Sequence, residues 1–375
     1  MKENDLKEIP PLLLLCVTAV AFVITGCGGD TRDEEPSSSQ ETVLRAVDSV
    51  GIELGDPRLM FGNPVPCMDA TGNLLVLDTV KRTVGNFSGG EDPLETVSVE
   101  GTGPGEFMHP QGIAPLPGGG FMLWSQADRK LALYTDEMEL SREMLNTDGA
   151  LLGPISAAAV SDTSVVCSFQ RFQEDSVTGM ISLHTSSLDE PDLILLSRTA
   201  LFQNSLRWPE ETRFMFTAVP GSGVYAATPD SLRRMLHSVP PGGGAPSEVE
   251  MEYRPVPLSL AVRLHERDMF IRRHRHALGT AAGVEFHPRM YRDAIRGVYA
   301  DGEERLWILS GSGLSPEFLV ISPQGESLFT CLVELPGWQD CDEWRFSIGS
   351  GGITAVPSNP ELFPLVYIME PVPSR

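Results

Sequence analysis

The chain of 375 residues is 41% hydrophobic and only 21% charged, which excludes an intrinsically disordered protein and supplies enough apolar residues for a large core. Its 51 acidic and 28 basic residues give a formal net charge of −23, and a field of that sign opposes binding to nucleic acid and to anionic membrane surfaces. We therefore predict no nucleic-acid partner.

The N-terminal residues have the pattern of an export signal. Leu12 to Thr25 is an apolar run of 14 residues, which is too short for an ordinary membrane-spanning helix and suits a signal peptide. The run ends in Ile24-Thr25-Gly26-Cys27, which resembles the lipobox of bacterial lipoproteins. This resemblance implies a signal peptide at 1–26, lipidation of Cys27 and a membrane-anchored protein in the periplasm or at the cell surface. The alternative, a free Cys27 thiol after a hydrophobic anchor, stays open.

The chain after Cys27 divides into a tether and one folded domain. Residues 28–40 are rich in Asp, Glu and Ser and show no periodic apolar pattern, so residues 27–41 are predicted to form a flexible acidic tether. Residues 42–375 are predicted to fold as a single domain.

The stretch from Gly101 to Ala114 has the features of a tight reversal followed by a strand. Glycines at 101, 103 and 105 permit positive φ, and Phe107 is a large apolar residue suited to a position between neighbouring sheets. The order of Gly-rich loop, Phe, Pro and Gly-Ile-Ala resembles an NHL repeat. This resemblance implies a joint between two blades of a β-propeller, as in bacterial six-bladed propeller lipoproteins.

The same order of elements, a small apolar strand, a turn and a strongly β-forming strand, occurs six times along the chain. The small apolar strands, which would line the axis of a propeller, are predicted at 65–70, 112–114, 156–160, 216–219, 296–300 and 352–356. The sequence therefore predicts an all-β fold, a six-bladed β-propeller of four-stranded antiparallel blades. A β-sandwich is the alternative that the strand pattern leaves open.

The sixth unit is followed by few residues, so the N-terminal part of the domain is expected to complete it. Residues 42–47, together with 52–54, are predicted to supply the missing outer strands of the last blade, which would close the ring and cover an exposed edge.

The spacing between the fourth and fifth units predicts one partly helical insertion at about 240–292, with a helix compatible with 257–278. Its basic cluster contains Arg272, Arg273 and Arg275. Such a cluster fits either a channel-rim patch that binds phosphate or carboxylate, or a solvated helix face whose arginines pair with nearby acids.

Four cysteines remain if Cys16 leaves with the signal peptide and Cys27 carries lipid. Cys331 and Cys341 flank a Pro-Gly turn, a spacing that allows a local disulfide between them in an exported protein. Cys67 and Cys167 lie in apolar runs and are expected to be buried.

The sequence assigns no catalytic residue and no metal ligand, because none of the seven histidines falls into a recognised metal-binding spacing. His109 and His287 lie in loops expected near the channel rim. The favoured function is a lipid-anchored binding or scaffolding module for a protein, peptide or carbohydrate partner. The alternative is a propeller hydrolase or lyase resembling gluconolactonase or peptidylglycine lyase, which would need calcium or zinc on the axis. An NHL-type nucleic-acid binder is disfavoured by the acidic charge and the lipobox.

Overall fold

The computed structural model describes residues 42–51, 61–87, 95–201, 212–264, 267–268, 271, 289–312, 315–336, 344–357 and 365–374, and every structural statement concerns these. The predicted signal peptide and tether lie outside them. All described residues belong to a compact unit that spans Gln40–Arg375.

The described chain is almost entirely β-structure, as predicted, and it contains four four-stranded antiparallel sheets, each a meander of consecutive strands. The first sheet has β2 (Pro64–Met68), β3 (Leu74–Asp78), β4 (Thr83–Phe87) and β5 (Glu95–Ser98). The second has β6 (Gly112–Pro115), β7 (Phe121–Ser125), β8 (Lys130–Tyr134) and β9 (Leu140–Leu145). The third has β10 (Ser156–Ala159), β11 (Val165–Phe172), β12 (Ser176–His184) and β13 (Leu193–Leu201). The fourth has β14 (Met215–Val219), β15 (Gly223–Ala227), β16 (Arg234–Val239) and β17 (Ser247–Met251).

The remaining strands form one eight-stranded sheet. Its first half is the meander β18 (Gly297–Ala300), β19 (Leu306–Ser312), β20 (Ser315–Ile321) and β21 (Ser327–Glu334). Its second half contains β22 (Trp344–Gly349), β23 (Gly352–Pro357), β24 (Val366–Pro373) and the N-terminal strand β1 (Thr42–Val50). Strand β1 pairs antiparallel with β24 and parallel with β21, and this parallel pairing joins the two halves.

Six strands form a closed ring, one from each four-stranded sheet and one from each half of the eight-stranded sheet. Consecutive members of the ring are in contact, from β2 to β6, β10, β14, β18, β22 and back to β2. We call these the inner strands. We call the end of the ring where they begin the entry end, and the end where they finish the exit end. The arrangement is that of a β-propeller.

Five of the six predicted inner strands match the structure closely, at β2, β6, β10, β14 and β18. The prediction for the sixth unit is wrong by one strand, because the inner strand is β22, whereas the predicted segment at 352–356 forms β23. Consequently β24 supplies the third strand of this unit, and β1 adds one strand rather than two. Residues 52–54 lie outside the described part.

The range predicted as an insertion, about 240–292, contains β17, which is the regular fourth strand of its sheet. Residues 260–264 are helical, within the predicted helix. Arg272, Arg273 and Arg275 lie outside the described residues.

The Gly101 to Ala114 stretch lies between the first two sheets. Gly101 and Gly105 adopt positive φ, of 145° and 72°, whereas Gly103 does not. Phe107 is fully buried in a core cluster shared by strands of both sheets, such as Leu75 of β3 and Leu123 of β7. The predicted wedge is confirmed for this residue.

Candidate functional site

The inner strands surround a central channel with a cavity volume of about 630 Å³. Every inner strand contributes to its wall, and the contributing side chains are mostly small or apolar. They include Val65 and Pro66 of β2, Ile113 and Ala114 of β6, Ala157, Ala158 and Ala159 of β10, Thr217 and Ala218 of β14, Val298 and Ala300 of β18, and Ser347 and Gly349 of β22. A wall of this kind can hold apolar parts of a ligand, but it offers few groups for acid–base chemistry.

One guanidinium group reaches the channel near its entry end. Arg345 is the second residue of β22, and its Nη2 donates to Asn63 Oδ1 at 2.8 Å and to the Pro64 carbonyl at 3.1 Å. Its Nε is buried and has no hydrogen-bond partner among the described residues. Burial lowers the pKa of Arg345. The group ties the last inner strand to the chain before the first and leaves one buried donor available.

A second cavity of about 560 Å³ lies at the entry end, where β10, β14 and β18 begin. It is continuous with the channel in its lining, since the two share Ser156, Phe216, Val298 and Tyr299. We call it the entry cavity. Its walls also contain the aromatic residues Phe169 and Phe214.

The described side chains that line the entry cavity carry a net charge opposite to that of the chain. Among the described residues, its lining includes three arginines, Arg213, Arg289 and Arg296, and a single carboxylate, Asp293. Asp293 forms an ion pair of 2.7 Å with Arg289. Arg296 donates from Nη2 to the Ser310 carbonyl at 2.7 Å, which fixes its guanidinium on the cavity wall. The formal charge of these described lining residues is therefore positive within a protein of net charge −23.

Tyr299 marks the passage between the entry cavity and the channel. A Cβ at position 297 would lie 2.5 Å from the Tyr299 hydroxyl oxygen, so the glycine at 297 allows the phenol to fold over the start of β18. Burial raises the pKa of Tyr299 to about 12, although the nearby Arg296 charge acts in the opposite direction. The phenol therefore stays neutral at physiological pH and offers a hydroxyl group at the passage.

The aspartates at the exit end have structural contacts. Asp69 Oδ1 accepts from the backbone N–H groups of Thr71 and Asn73, each at 2.9 Å. Burial acts to raise its pKa, but the hydrogen bonds from Thr71 and Asn73 prevail and lower it. Asp301 Oδ1 likewise accepts from two backbone N–H groups of its own turn. Both carboxylates therefore hold the turns that follow inner strands.

His109 is placed in the loop before β6. Its ring is exposed, with Nδ1 3.4 Å from Asp128 Oδ1, and its backbone N–H donates to Asp128 Oδ2 at 2.8 Å. It is not among the residues that line the two cavities. His287 lies outside the described residues, as do Cys27 and the three predicted rim arginines.

Cys331 is buried in the structure, and burial raises the pKa of its thiol to about 12. Its predicted partner Cys341 is not among the described residues, so the disulfide stays a prediction. Cys67 and Cys167 are buried, as expected.

Among the described histidines, His184 is buried and has structural contacts. His184 Nε2 lies 2.8 Å from Ser182 Oγ, and its Nδ1 lies 2.8 Å from the Ser187 carbonyl, so the ring bridges a strand and its turn. Across the described ranges, no three His, Cys, Asp or Glu side chains converge to hold a metal ion. Within the same ranges no helix has the length and apolarity needed to cross a membrane.

Sequence reasoning missed the arginines of the cavities. Their positions in the sequence could have revealed them. Arg213 lies two residues before β14, Arg296 lies one residue before β18, and Arg345 is the second residue of β22. A cation at the start of an inner strand points to the entry end of the ring.

No family model matches the chain, and no curated protein matches it either. Solved structures resemble it at low identity. A DUF4221-family member from Bacteroides vulgatus is 10% identical over 90% of this chain and 100% of its own, with a TM-score of 0.49. Regucalcin, a calcium-binding protein from Agrobacterium tumefaciens, is 9% identical over 89% and 97%, with a TM-score of 0.44. Virginiamycin B lyase from Staphylococcus aureus is 11% identical over 81% and 78%, with a TM-score of 0.40. At these values the likenesses carry no argument about activity.

Proposed function

We propose that this chain is an exported, lipid-anchored, six-bladed β-propeller that acts as a binding module for a protein, peptide or carbohydrate partner. The partner presents a side chain or a sugar unit to the channel from the entry end. The observation that carries this proposal is the channel wall, to which all six inner strands contribute mostly small and apolar side chains. Among the described residues, its charged members are Arg345 at the entry end and Asp301 and Glu304 at the exit end.

The count of six blades rests on the way the eight-stranded sheet folds onto itself. Phe318 of β20 and Phe346 of β22 stand third and eighth in the strand order, yet their ring centroids are 5.3 Å apart in an edge-to-face contact. A core cluster that includes Trp307 and Ile353 fills the space between the two halves. Two neighbouring blades that pack face to face and share a hydrogen-bonded outer seam account for this geometry.

The export proposal rests on residues 1–27, where an apolar run of signal-peptide length ends at the lipobox-like Ile24-Thr25-Gly26-Cys27. Mass spectrometry of the protein made in a bacterial host tests this proposal. Cleavage before Cys27 with a diacylglyceryl mass on that residue is expected, and an uncleaved, unmodified N-terminus would contradict it. A Cys27→Ser variant should lose the lipid and separate from the membrane fraction.

Binding is tested by thermal unfolding with peptide and sugar libraries in the presence of EDTA. A binding module should show a raised Tm with some library members and no need for calcium or zinc. A rise that appears only after one of these ions is restored, with turnover of the added compound, would favour the hydrolase or lyase.

A matched pair of variants places the binding in the channel. Ala158→Phe narrows the channel, whereas Ala127→Phe adds the same ring at an exposed turn between β7 and β8. The first should abolish the Tm rise and the second should keep it, provided that both variants retain the circular dichroism spectrum of the parent. Equal binding by both variants would overturn the channel as the site.

A further inference from the structure

We propose that the entry cavity recognises an anionic head group, a carboxylate or a phosphate, on a ligand whose apolar or aromatic body extends toward the channel. This inference rests on the proposed binding function and names the chemistry of its ligand.

The charge of the entry cavity favours an anionic ligand. The described lining contains three arginines and one carboxylate, and that carboxylate is paired with Arg289. Arginine presents a planar fork of donors that matches carboxylate and phosphate oxygens, so a cavity with an excess of arginine selects an anion. Because the chain as a whole is strongly acidic, the positive lining is a local property of this site and does not follow from composition.

The positions of the guanidinium groups also favour an anionic ligand. Arg296 is fixed on the wall by its bond to the Ser310 carbonyl, whereas Arg213 is exposed just before the start of β14. One cation is therefore held in place and another is accessible to solvent at the mouth. Because Arg296 is already fixed, its guanidinium loses little side-chain entropy when a ligand binds in this cavity.

The aromatic side chains of the entry cavity indicate the chemistry of the part of the ligand next to its anionic group. Phe214, Phe216 and Tyr299 line the cavity, and the last two also line the channel. An aromatic or aliphatic body next to the anion would bury apolar surface against these rings and continue into the small-residue wall. A free inorganic anion would leave this surface unused, so an organic acid or an organic phosphate fits better.

Calorimetric titration with three matched probes tests the inference: 3-phenylpropanoate, its uncharged amide, and phenyl phosphate. The acid should bind about tenfold or more tightly than the amide, since one charge-assisted contact corresponds to about that factor. Affinity of the acid should fall as salt is raised, whereas affinity of the amide should not. Tighter binding of phenyl phosphate than of the acid would assign phosphate as the preferred head group.

Arg213→Gln removes the accessible cation. It should lower the affinity for the acid about tenfold and leave the affinity for the amide unchanged. Arg45→Gln is the control, because Arg45 lies on β1 in a surface ion pair with Glu334 and does not line either cavity. Equal affinity for acid and amide, no binding of any probe at millimolar concentration, or no effect of Arg213→Gln would each overturn the inference. The proposed binding function would survive those results if peptides or sugars still raise the Tm of the protein.

Discussion

Lys130 Nζ lies 5.0 Å from the centroid of the Phe107 ring and 3.2 Å from Glu143 Oε2. The same ammonium donates to the Gly103 carbonyl at 3.1 Å, and Glu143 Oε2 accepts from the Gly105 N–H at 2.7 Å. A buried cation of β8 and a carboxylate of β9 thus hold the glycine-rich joint in place over the aromatic wedge. The charged residues at the glycine-rich joint therefore have a structural role.

Replacement of Lys130 by Met should lower the free energy of unfolding by about 2–4 kcal/mol, because the mostly buried Glu143 loses its cation while the backbone polar groups stay in place. Urea denaturation measures this loss. Lys81→Met is the control at an exposed position and should change the value by less than about 0.5 kcal/mol. Equal effects of the two substitutions would show that the ion pair does not hold the joint.

The closure by β1 predicts a contrast between two residues of that strand. Leu44 is fully buried in the core between the halves of the eight-stranded sheet, whereas Val47 is 49% exposed. Leu44→Ala should cost about 2–5 kcal/mol and Val47→Ala less than about 0.5 kcal/mol, as measured by chemical denaturation. A negligible cost for Leu44→Ala would mean that β1 is not part of the folded core.

The turn after β18 predicts a cost for the loss of its carboxylate. Asp301 Oδ2 accepts from Trp307 Nε1 and from Arg305 Nε, each at 2.7 Å, and the Trp307 side chain is buried. Asp301→Ala should destabilise the protein by about 1–3 kcal/mol, because the indole N–H is left without its acceptor. Glu303→Ala, which removes an exposed carboxylate of the same turn, should have little effect on the thermal midpoint. A similar shift for both variants would contradict the role given to Asp301.

His184 predicts a pH dependence of stability. Burial lowers the pKa of its ring, and this prevails over the Ser187 carbonyl and the Asp192 charge, which act in the opposite direction. As the pH falls, the unfolded chain therefore binds a proton on this ring at about pH 6.5, whereas the folded chain binds it only at a lower pH. The stability that the neutral ring contributes is fully present above about pH 6.5 and is lost as the pH falls toward the lower pKa of the folded chain. The difference in unfolding free energy between the parent and His184→Gln should narrow from pH 8 to pH 5. A constant difference would show that the histidine does not titrate between the two states.

The sequence was a good guide where local chemistry decides the structure. Phe107 follows a glycine-rich turn and precedes a narrow strand, and this order alone predicts a wedge between sheets, which the structure confirms. The prediction for the sixth unit was wrong because its inner strand, β22, contains Arg345, Phe346 and Ile348. By contrast, β23 begins with the glycine and small apolar residues typical of the other inner strands. Composition alone could not distinguish the first strand of that unit from the second.

The cavities were beyond the reach of sequence patterns. Arg213 lies far from Arg289 and Arg296 along the chain, and the three converge only because β14 and β18 are neighbours in the ring. Their convergence depends on strand order and ring closure, which are long-range properties. By contrast, His109 was singled out for its local context, and the structure places it against Asp128 rather than in either cavity.

The pairing of β1 also sets an orientation. Thr42 lies opposite Pro373, at the exit end of the ring, because β24 runs toward that end and β1 runs back from it. The described chain therefore begins at the end of the ring opposite the arginine-lined entry cavity, so a fusion or label placed before Thr42 is joined to the domain away from that cavity.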